Sequence, residues 1–229
     1  MAEKDNLFLK YMVESFDLNQ PVFKKKDSLP FITISRDFGC QANLLAKMLK
    51  DELDKKGQRW SILNKEIIME SAKVLEMDPR QVQEISESTD RTVMDEVLAA
   101  LSTKYYKSDR RIRQTISSVV TSAANEGYTI IVGRGGAAIT KGMQPSINIK
   151  LYAPLEWRLQ SLMKRYHATR EHVMKEITSI DYKRHKMVTQ ILKGSENSGE
   201  IYDLQINCST VNHRQIVAMI VRLIEERFK

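Results

Sequence analysis

The residues best spaced for chemistry lie in Phe31-Ile-Thr-Ile-Ser-Arg-Asp-Phe-Gly39-Cys-Gln-Ala-Asn-Leu-Leu-Ala-Lys-Met-Leu-Lys50. The stretch reads as a buried strand, a tight turn and a helix, the layout of a loop that cradles phosphate. The standard pattern, G-x-x-x-x-G-K-[ST], uses glycines so that backbone N–H groups wrap the phosphates, a lysine for their charge and a hydroxyl for magnesium. Here Gly39 is the only glycine, Ala42 falls where the lysine would stand and Leu44 falls near the hydroxyl position. A helix starting just after Gly39 nonetheless offers unpaired N–H groups and a positive dipole end to an anion. Ser35, Arg36, Asp37, Phe38, Gly39, Cys40, Gln41, Ala42 and Asn43 form the candidate phosphate loop. Arg36 either supplies the charge that lysine would bring or makes a structural ion pair.

A second candidate is Gly133-Arg134-Gly135-Gly136. An arginine at the carboxyl end of a central strand points into the crevice where α/β sheets bind ligands. Its planar fork suits phosphate, and flanking glycines permit close backbone approach. A third group comprises Arg158, Arg165 and Arg170 with Asp181, Lys183 and Arg184. Such a segment can fold over a phosphoryl donor and spread positive charge onto the transferring group, or it can be a solvated helical face. His167, His172, His185 and His213 form no ligand constellation and read as surface residues, so no metal-binding residue is predicted.

These residues need a scaffold. Apolar runs predict strands at 31–35, 60–63, 129–133, 147–152 and 203–207. Helical spacing predicts helices at 44–56, 66–75, 81–86, 92–101, 114–125, 155–166, 169–180, 181–192 and 212–228, with a polar loop at 193–199. Alternation of the two element types predicts a parallel sheet covered on both faces. Residues 1–30 read as a leader or packing arm, with homo-oligomerisation through it as the alternative.

The 229-residue length suits one domain, 31–229, whose 155–195 segment is a helical lid. A net charge of +7 points to anionic partners. The patch from Lys104 to Arg113 lacks the aromatic stripe of a nucleic-acid binder, so that partner is disfavoured. Cys40 and Cys208 lie too far apart in sequence for a disulfide framework or zinc spacing. The N-terminus is charged from Glu3 onward and no long apolar run follows, so no membrane partner and a cytoplasmic location are expected.

Several motifs resemble the cytidylate kinase-like family, relatives of nucleoside monophosphate kinases. Ile32-Thr-Ile-Ser-Arg-Asp-Phe-Gly39 is similar to its opening I-T-I-S-R-E-Y-G, and Asn64-Lys-Glu-Ile-Ile68 to its D-K-E-L-I box. Ile130-Ile-Val-Gly-Arg-Gly135 is similar to V-I-V-G-R-G, and Leu151-Tyr-Ala-Pro-Leu-Glu-Trp-Arg158 to L-x-A-P-x-E-x-R. Ile180-Asp-Tyr-Lys-Arg184 resembles the lid, and Tyr202-Asp-Leu-Gln-Ile-Asn207 the Y-D-L-V-I-N strand.

The resemblance implies a P-loop NTPase-type α/β/α fold with a five-stranded parallel sheet and a helical lid. It implies transfer of a phosphoryl group from ATP with Mg2+ to a nucleoside monophosphate, CMP or dCMP being the inherited acceptor. By position, Arg36, Arg158, Arg165, Lys183 and Arg184 take catalytic roles, Asn64, Gly133, Arg134 and Gly135 hold the monophosphate, and Arg170 and Asp181 belong to the lid. The family loop G-S-G-G is Gly39-Cys-Gln-Ala42 here, Asn64 replaces a carboxylate, and Ile180 and Met187 stand where cytidylate kinases tend to carry arginine. A catalytically weak or inactive nucleotide- or anion-binding regulator of the same fold is the alternative to an enzyme.

Overall fold

Strand β1, Phe31–Arg36, forms because its apolar and β-branched side chains can be buried on both faces of a sheet. Ile32 and Ile34 point to one face, Phe31 and Thr33 to the other, and all four are buried. In this computed structural model, residues 29–87, 109–193 and 198–228 are described. After β1 the order is α1 (Ala42–Asp54), β2 (Ser61–Leu63), α2 (Glu66–Leu75), α3 (Pro79–Glu87) and α4 (Asp109–Glu126). Then come β3 (Thr129–Val132), α5 (Gly136–Ile139), β4 (Ser146–Tyr152), α6 (Leu155–Tyr166) and α7 (Arg170–Ile191). A 3-10 turn at Ser198–Ile201, β5 (Leu204–Asn207) and α8 (His213–Arg227) complete the chain.

The five strands are all parallel, in the order β2-β3-β1-β4-β5. β1 is central: Ile32 lies opposite Ile130 on one side and Ile147 on the other. Parallel neighbours need crossovers, and these are the helices that bury the sheet. Leu45, Leu49 and Leu53 of α1 and Ile216, Val217 and Ile220 of α8 cover the face carrying Ile32, Ile34, Ile130 and Ile149. Ile67, Ile68 and Leu75 of α2 join Val82, Ile112, Ile116 and Val120 over the face carrying Phe31 and Ile131. A smaller cluster, Leu159, Leu162, Val173 and Ile177, joins α6 to α7 and takes in Phe38 of the loop.

The predicted α/β architecture is present, with three local differences. The segments expected as two helices, 169–180 and 181–192, form the single 22-residue α7. No glycine or proline interrupts Ile180-Asp181, so the intrahelical ladder has no reason to stop there. The helix expected at 114–125 starts earlier, at Asp109, and absorbs Arg110, Arg111 and Arg113 from the basic patch. The four-residue α5 was beyond the reach of periodicity, which needs longer windows. The leader through residue 28, the helix expected at 92–101, Lys104 and Lys107 of the patch, and residues 194–197 of the polar loop lie outside the described residues.

Leu45 is fully buried between β1 and the helix that follows the loop. Leu45→Ala is expected to cost about 2–5 kcal/mol, the range for a buried leucine truncated in a packed core. Urea unfolding measures it, and a loss below about 1 kcal/mol would show that this contact does not anchor α1.

Candidate functional site

The loop after β1 is shaped by bonds on both sides. Gly39 takes φ +102°, a conformation that side-chain-bearing residues rarely adopt. Gln41 caps α1 without a side-chain hydrogen bond, and no acidic residue lies in the helix's first turn. Among the described residues, no protein acceptor takes the N–H groups of Gly39, Gln41, Ala42 or Asn43. These donors and the helix dipole together form an anion-receptive end.

Below the loop lies Arg158, 9% exposed. It donates from Nε to the Ala153 carbonyl (3.1 Å), and from Nη1 to the Phe38 carbonyl (3.2 Å) and to the Asp181 carboxylate. Asp181 in turn accepts the Phe38 N–H at 2.7 Å. Arg184, one turn along α7, donates to the Arg36 carbonyl at 3.2 Å, and its guanidinium stands 5.9 Å from the Phe38 ring centroid. The lid helix therefore grips the loop from one side. On the other side Asp37 accepts from Lys150 of β4 at 2.5 Å.

Two cavities open here. The larger, about 650 Å3, lies over the carboxyl ends of the strands and is lined by Ser35, Arg36, Asp37, Asn64, Gly133, Arg134, Gly135, Lys150, Asp181, Lys183 and Arg184, among others. The smaller, about 340 Å3, lies against the loop from Phe38 to Leu44 and includes Arg165 and Tyr166. Arg36, Asp37 and Arg184 line both.

Arg36 is the electrostatic centre. Burial first, then the charges of Arg184 and Arg134, push its guanidinium down to about 10. It stays protonated at neutral pH, held among like charges with no carboxylate paired to it among the described residues. An anion placed there would relieve both the repulsion and the loss of solvation. Gly133 makes this position possible: at φ +77°, a Cβ there would lie 1.8 Å from Arg36 Nη1. Arg134 itself sits at φ +54°, rare for a residue with a side chain, and reaches Ser86 Oγ at 3.4 Å.

The expected site residues separate by location. Every residue of the candidate loop lines one or both cavities, and Asn64, Gly133, Arg134, Gly135, Arg165, Asp181, Lys183 and Arg184 join it there. Asn64 also donates to Asn43 Oδ1 at 3.0 Å, linking the end of β2 to α1. Arg158 lines neither cavity and lies under the loop as a brace. Arg170 also lines neither; its fork grips Glu156 at 2.7 and 2.8 Å on the exposed side of the lid. Sequence reasoning missed Lys150, whose signal was a charge inside the buried run 147–152. His185, read as a surface residue, is exposed and lies on the wall of the larger cavity. His213, also read as a surface residue, is half-buried near the Gln41 backbone, and its Nε2 is buried without a hydrogen-bond partner among the described residues. Among the described residues no cluster of metal-binding side chains occurs, and no helix is long and apolar enough to cross a membrane.

A parallel five-stranded sheet with an anion-receptive loop after its central strand and a helical lid defines a P-loop NTPase-type three-layer fold. The chain belongs to the cytidylate kinase-like family, which it matches over residues 31–210. A crystal structure of a protein from Eubacterium ventriosum is similar at 18% identity, over 86% of this chain and 99% of that one, with a TM-score of 0.59. Shikimate kinase from Bacteroides thetaiotaomicron is similar at 14% identity over 85% of this chain and 96% of that one, TM-score 0.45. A gluconokinase from Sinorhizobium meliloti is similar at 11% identity over 89% and 98%, TM-score 0.47. The first likeness bears on the fold alone, and the two enzymes add nothing to it. A uronate isomerase from Corynebacterium glutamicum shares 23% identity over 116 residues, which are 51% of this chain and 22% of that enzyme's length.

Arg36→Met is expected to weaken pyrophosphate binding tenfold or more, because a hydrogen bond to a charged group contributes about 1.5–3 kcal/mol. The melting temperature should hold or rise as the like-charge cluster is relieved. Calorimetry and thermal melts test this together, and unchanged affinity would remove Arg36 from the anion site.

Burial pushes His213 below its ordinary value, with Arg165 adding to the shift and the hydrogen bond to the Gln41 backbone opposing it. The native state then binds fewer protons than the unfolded chain between the two values. Its contribution to stability is full above roughly pH 6.5 and is lost as pH falls through the lower native value. Melts taken from about pH 7.5 to 5.5 should fall, and His213→Gln should flatten the curve; parallel curves would reject the assignment.

Proposed function

We propose that this chain transfers a phosphoryl group from ATP to a nucleoside monophosphate, with CMP or dCMP as the first acceptor to try. The observation that carries the reading is the pair of adjoining cavities with Arg36, Asp37 and Arg184 on their common wall. The loop cavity suits the donor phosphates, which would meet the free N–H groups at the start of α1 and the Arg165 charge. The larger cavity suits the acceptor, with Arg134 and Lys183 facing its phosphate and Asn64 beside it. The transferring group would then pass between Arg36 and Arg184, whose charges meet what develops on its equatorial oxygens. This chemistry needs positioning and charge neutralisation more than covalent participation.

Mg2+ keeps several waters and takes one or two carboxylates together with phosphate oxygens. Asp37 lines both cavities and would take that share while paired with Lys150 at 2.5 Å; Cys40, Gln41 and Ala42, which follow Gly39, bring no hydroxyl to the start of α1. When bound, the ion would neutralise charge on the bridging phosphate oxygens. Asp181 is already engaged by Arg158 and the Phe38 N–H and acts as a positioning residue for the loop.

A second reading, nucleotide binding without turnover, is favoured by one observation: the loop carries neither lysine nor hydroxyl where phosphoryl chemistry commonly uses them. ADP release with ATP, Mg2+ and a panel of monophosphates separates the two. The kinase reading expects turnover with at least one acceptor, and a loss of about 10²–10³ in kcat for Arg184→Ala. ATP binding seen by calorimetry without turnover on any acceptor would leave the regulator.

A further inference from the structure

Parallel strands covered on both faces are ordinarily apolar throughout. The sheet face turned away from α1 and α8 departs from that on one side only. Its half toward β3 buries Phe31 and Ile131 beneath α2 and α4. Its half toward β5 carries two polar rows. In the deeper row Thr33 lies opposite Asn148, and its hydroxyl donates to Asn148 Oδ1 at 2.7 Å, so these groups serve each other. In the upper row Ser35 lies opposite Lys150, and Lys150 opposite Gln205. Residues alternate across a strand, and Ile149, Leu151 and Ile206 pack on the α1 side, so these three share the other face.

All three line the larger cavity. Lys150 is partly buried and gives one of its three N–H donors to Asp37. Among the described residues, no partner takes the Ser35 hydroxyl or the Gln205 amide. Gln205 Nε2 stands 3.6 Å from where a Cβ on Gly199 would lie, and Gly199 lines the same cavity.

Opposite the row stands α7, whose Lys183, Arg184, Met187 and Val188 line the cavity at helical spacing. Lys183 and Arg184 charge one end. Met187 and Val188, a turn further on, make the other end apolar, and Val188 packs in one cluster with Tyr202. The cavity thus grades from a cationic end at Arg134 and Lys183 to a slot with an apolar roof and a polar floor. A phosphate suits the first, and a flat ring with a hydrogen-bonding edge suits the second.

We propose that Ser35, Lys150 and Gln205 form the subsite that reads the base of the acceptor, and that it selects a pyrimidine. The assignment rests on the acceptor reading of the larger cavity. The strand order β3-β1-β4-β5 sets Arg134, Ser35, Lys150 and Gln205 in line across the sheet. At about 4.8 Å per strand the line is roughly 14 Å long, room for phosphate, sugar and base in series. Gln205 offers a donor and an acceptor side by side. Its amide can turn to match N4–H and N3 of cytosine, or O4 and N3–H of uracil. Lys150 offers only donors, which suit the C2 carbonyl that both pyrimidines carry next to N3. Adenine has no acceptor substituent at the corresponding carbon, so Lys150 gains no bond from it.

Calorimetry on the full chain with CMP, UMP, AMP and ribose 5-phosphate tests this, because the last carries phosphate and sugar without a base. CMP and UMP should each bind at least about fivefold more tightly than AMP or ribose 5-phosphate, the share of one or two neutral hydrogen bonds. Gln205→Leu should bring CMP and UMP to the level of ribose 5-phosphate and leave ribose 5-phosphate within about twofold. Its melting temperature should hold, since Gln205 is exposed on an edge strand. Equal binding of CMP and ribose 5-phosphate, AMP as tight as CMP, or a Gln205→Leu variant that keeps the wild-type ratios would overturn the base subsite and leave the monophosphate site standing. Failure of all these ligands to bind, with pyrophosphate still bound, would remove the acceptor reading and this subsite with it.

Discussion

The architecture of the site depends on one buried guanidinium. Arg158 joins the β4–α6 turn at Ala153, the loop at Phe38 and the lid at Asp181. A buried ion pair contributes little net stability once desolvation is counted, but removing one partner leaves the other stranded at a cost of about 3–5 kcal/mol. The network therefore acts as a specifier. It requires that α7 meet the loop at one height, which sets Arg184 beside Arg36 and Lys183 at the mouth of the larger cavity. The small apolar cluster around Leu162, Val173 and Phe38 supplies the contact area that holds this arrangement.

Above that brace the electrostatics run in the opposite sense. Arg36 is buried and held close to the like charges of Arg184 and Arg134, which together disfavour its charged form. Arg134 adds a left-handed backbone, and Gly133 has no side chain so that Arg36 can lie against it. Native proteins tolerate such arrangements where an anionic ligand relieves them. In the proposed reading, the loop donors and this cluster would stand in for the missing lysine: charge that a standard phosphate loop carries on its own helix would come here from Arg36 of β1, Arg134 after β3 and Arg184 of α7.

Much of this was legible from residue order. Ile32, Ile34, Ile130, Ile147 and Ile149 are β-branched residues in short runs, and burial of both faces left them no alternative to a parallel strand. Gly39 and Gly133 marked turns that demand positive φ, and both lie at the carboxyl end of a strand. What could not be read was partnership. Arg158 and Arg170 are both lid arginines in sequence, yet one is buried beneath the loop and the other is forked onto Glu156 in solvent. Nothing local distinguishes them, because the difference is which face of α6 or α7 meets the loop. Lys150 escaped for the same reason, and so did the place of His213 near Gln41: each is ordinary in its own element and meets the loop or cavity through a neighbour distant in sequence.

The sequence alone determined the sheet, its covering helices and the strand-loop-helix unit, because alternation of apolar residues and the needs of glycine are local properties. Only the tertiary structure decided which charges face one another. It placed Arg36 against Gly133 and Arg184, and set Asp181 on the Phe38 N–H. Those contacts arise from packing α7 onto the loop, and Coulomb and hydrogen-bond energies depend on distance in space, which order along a chain does not encode.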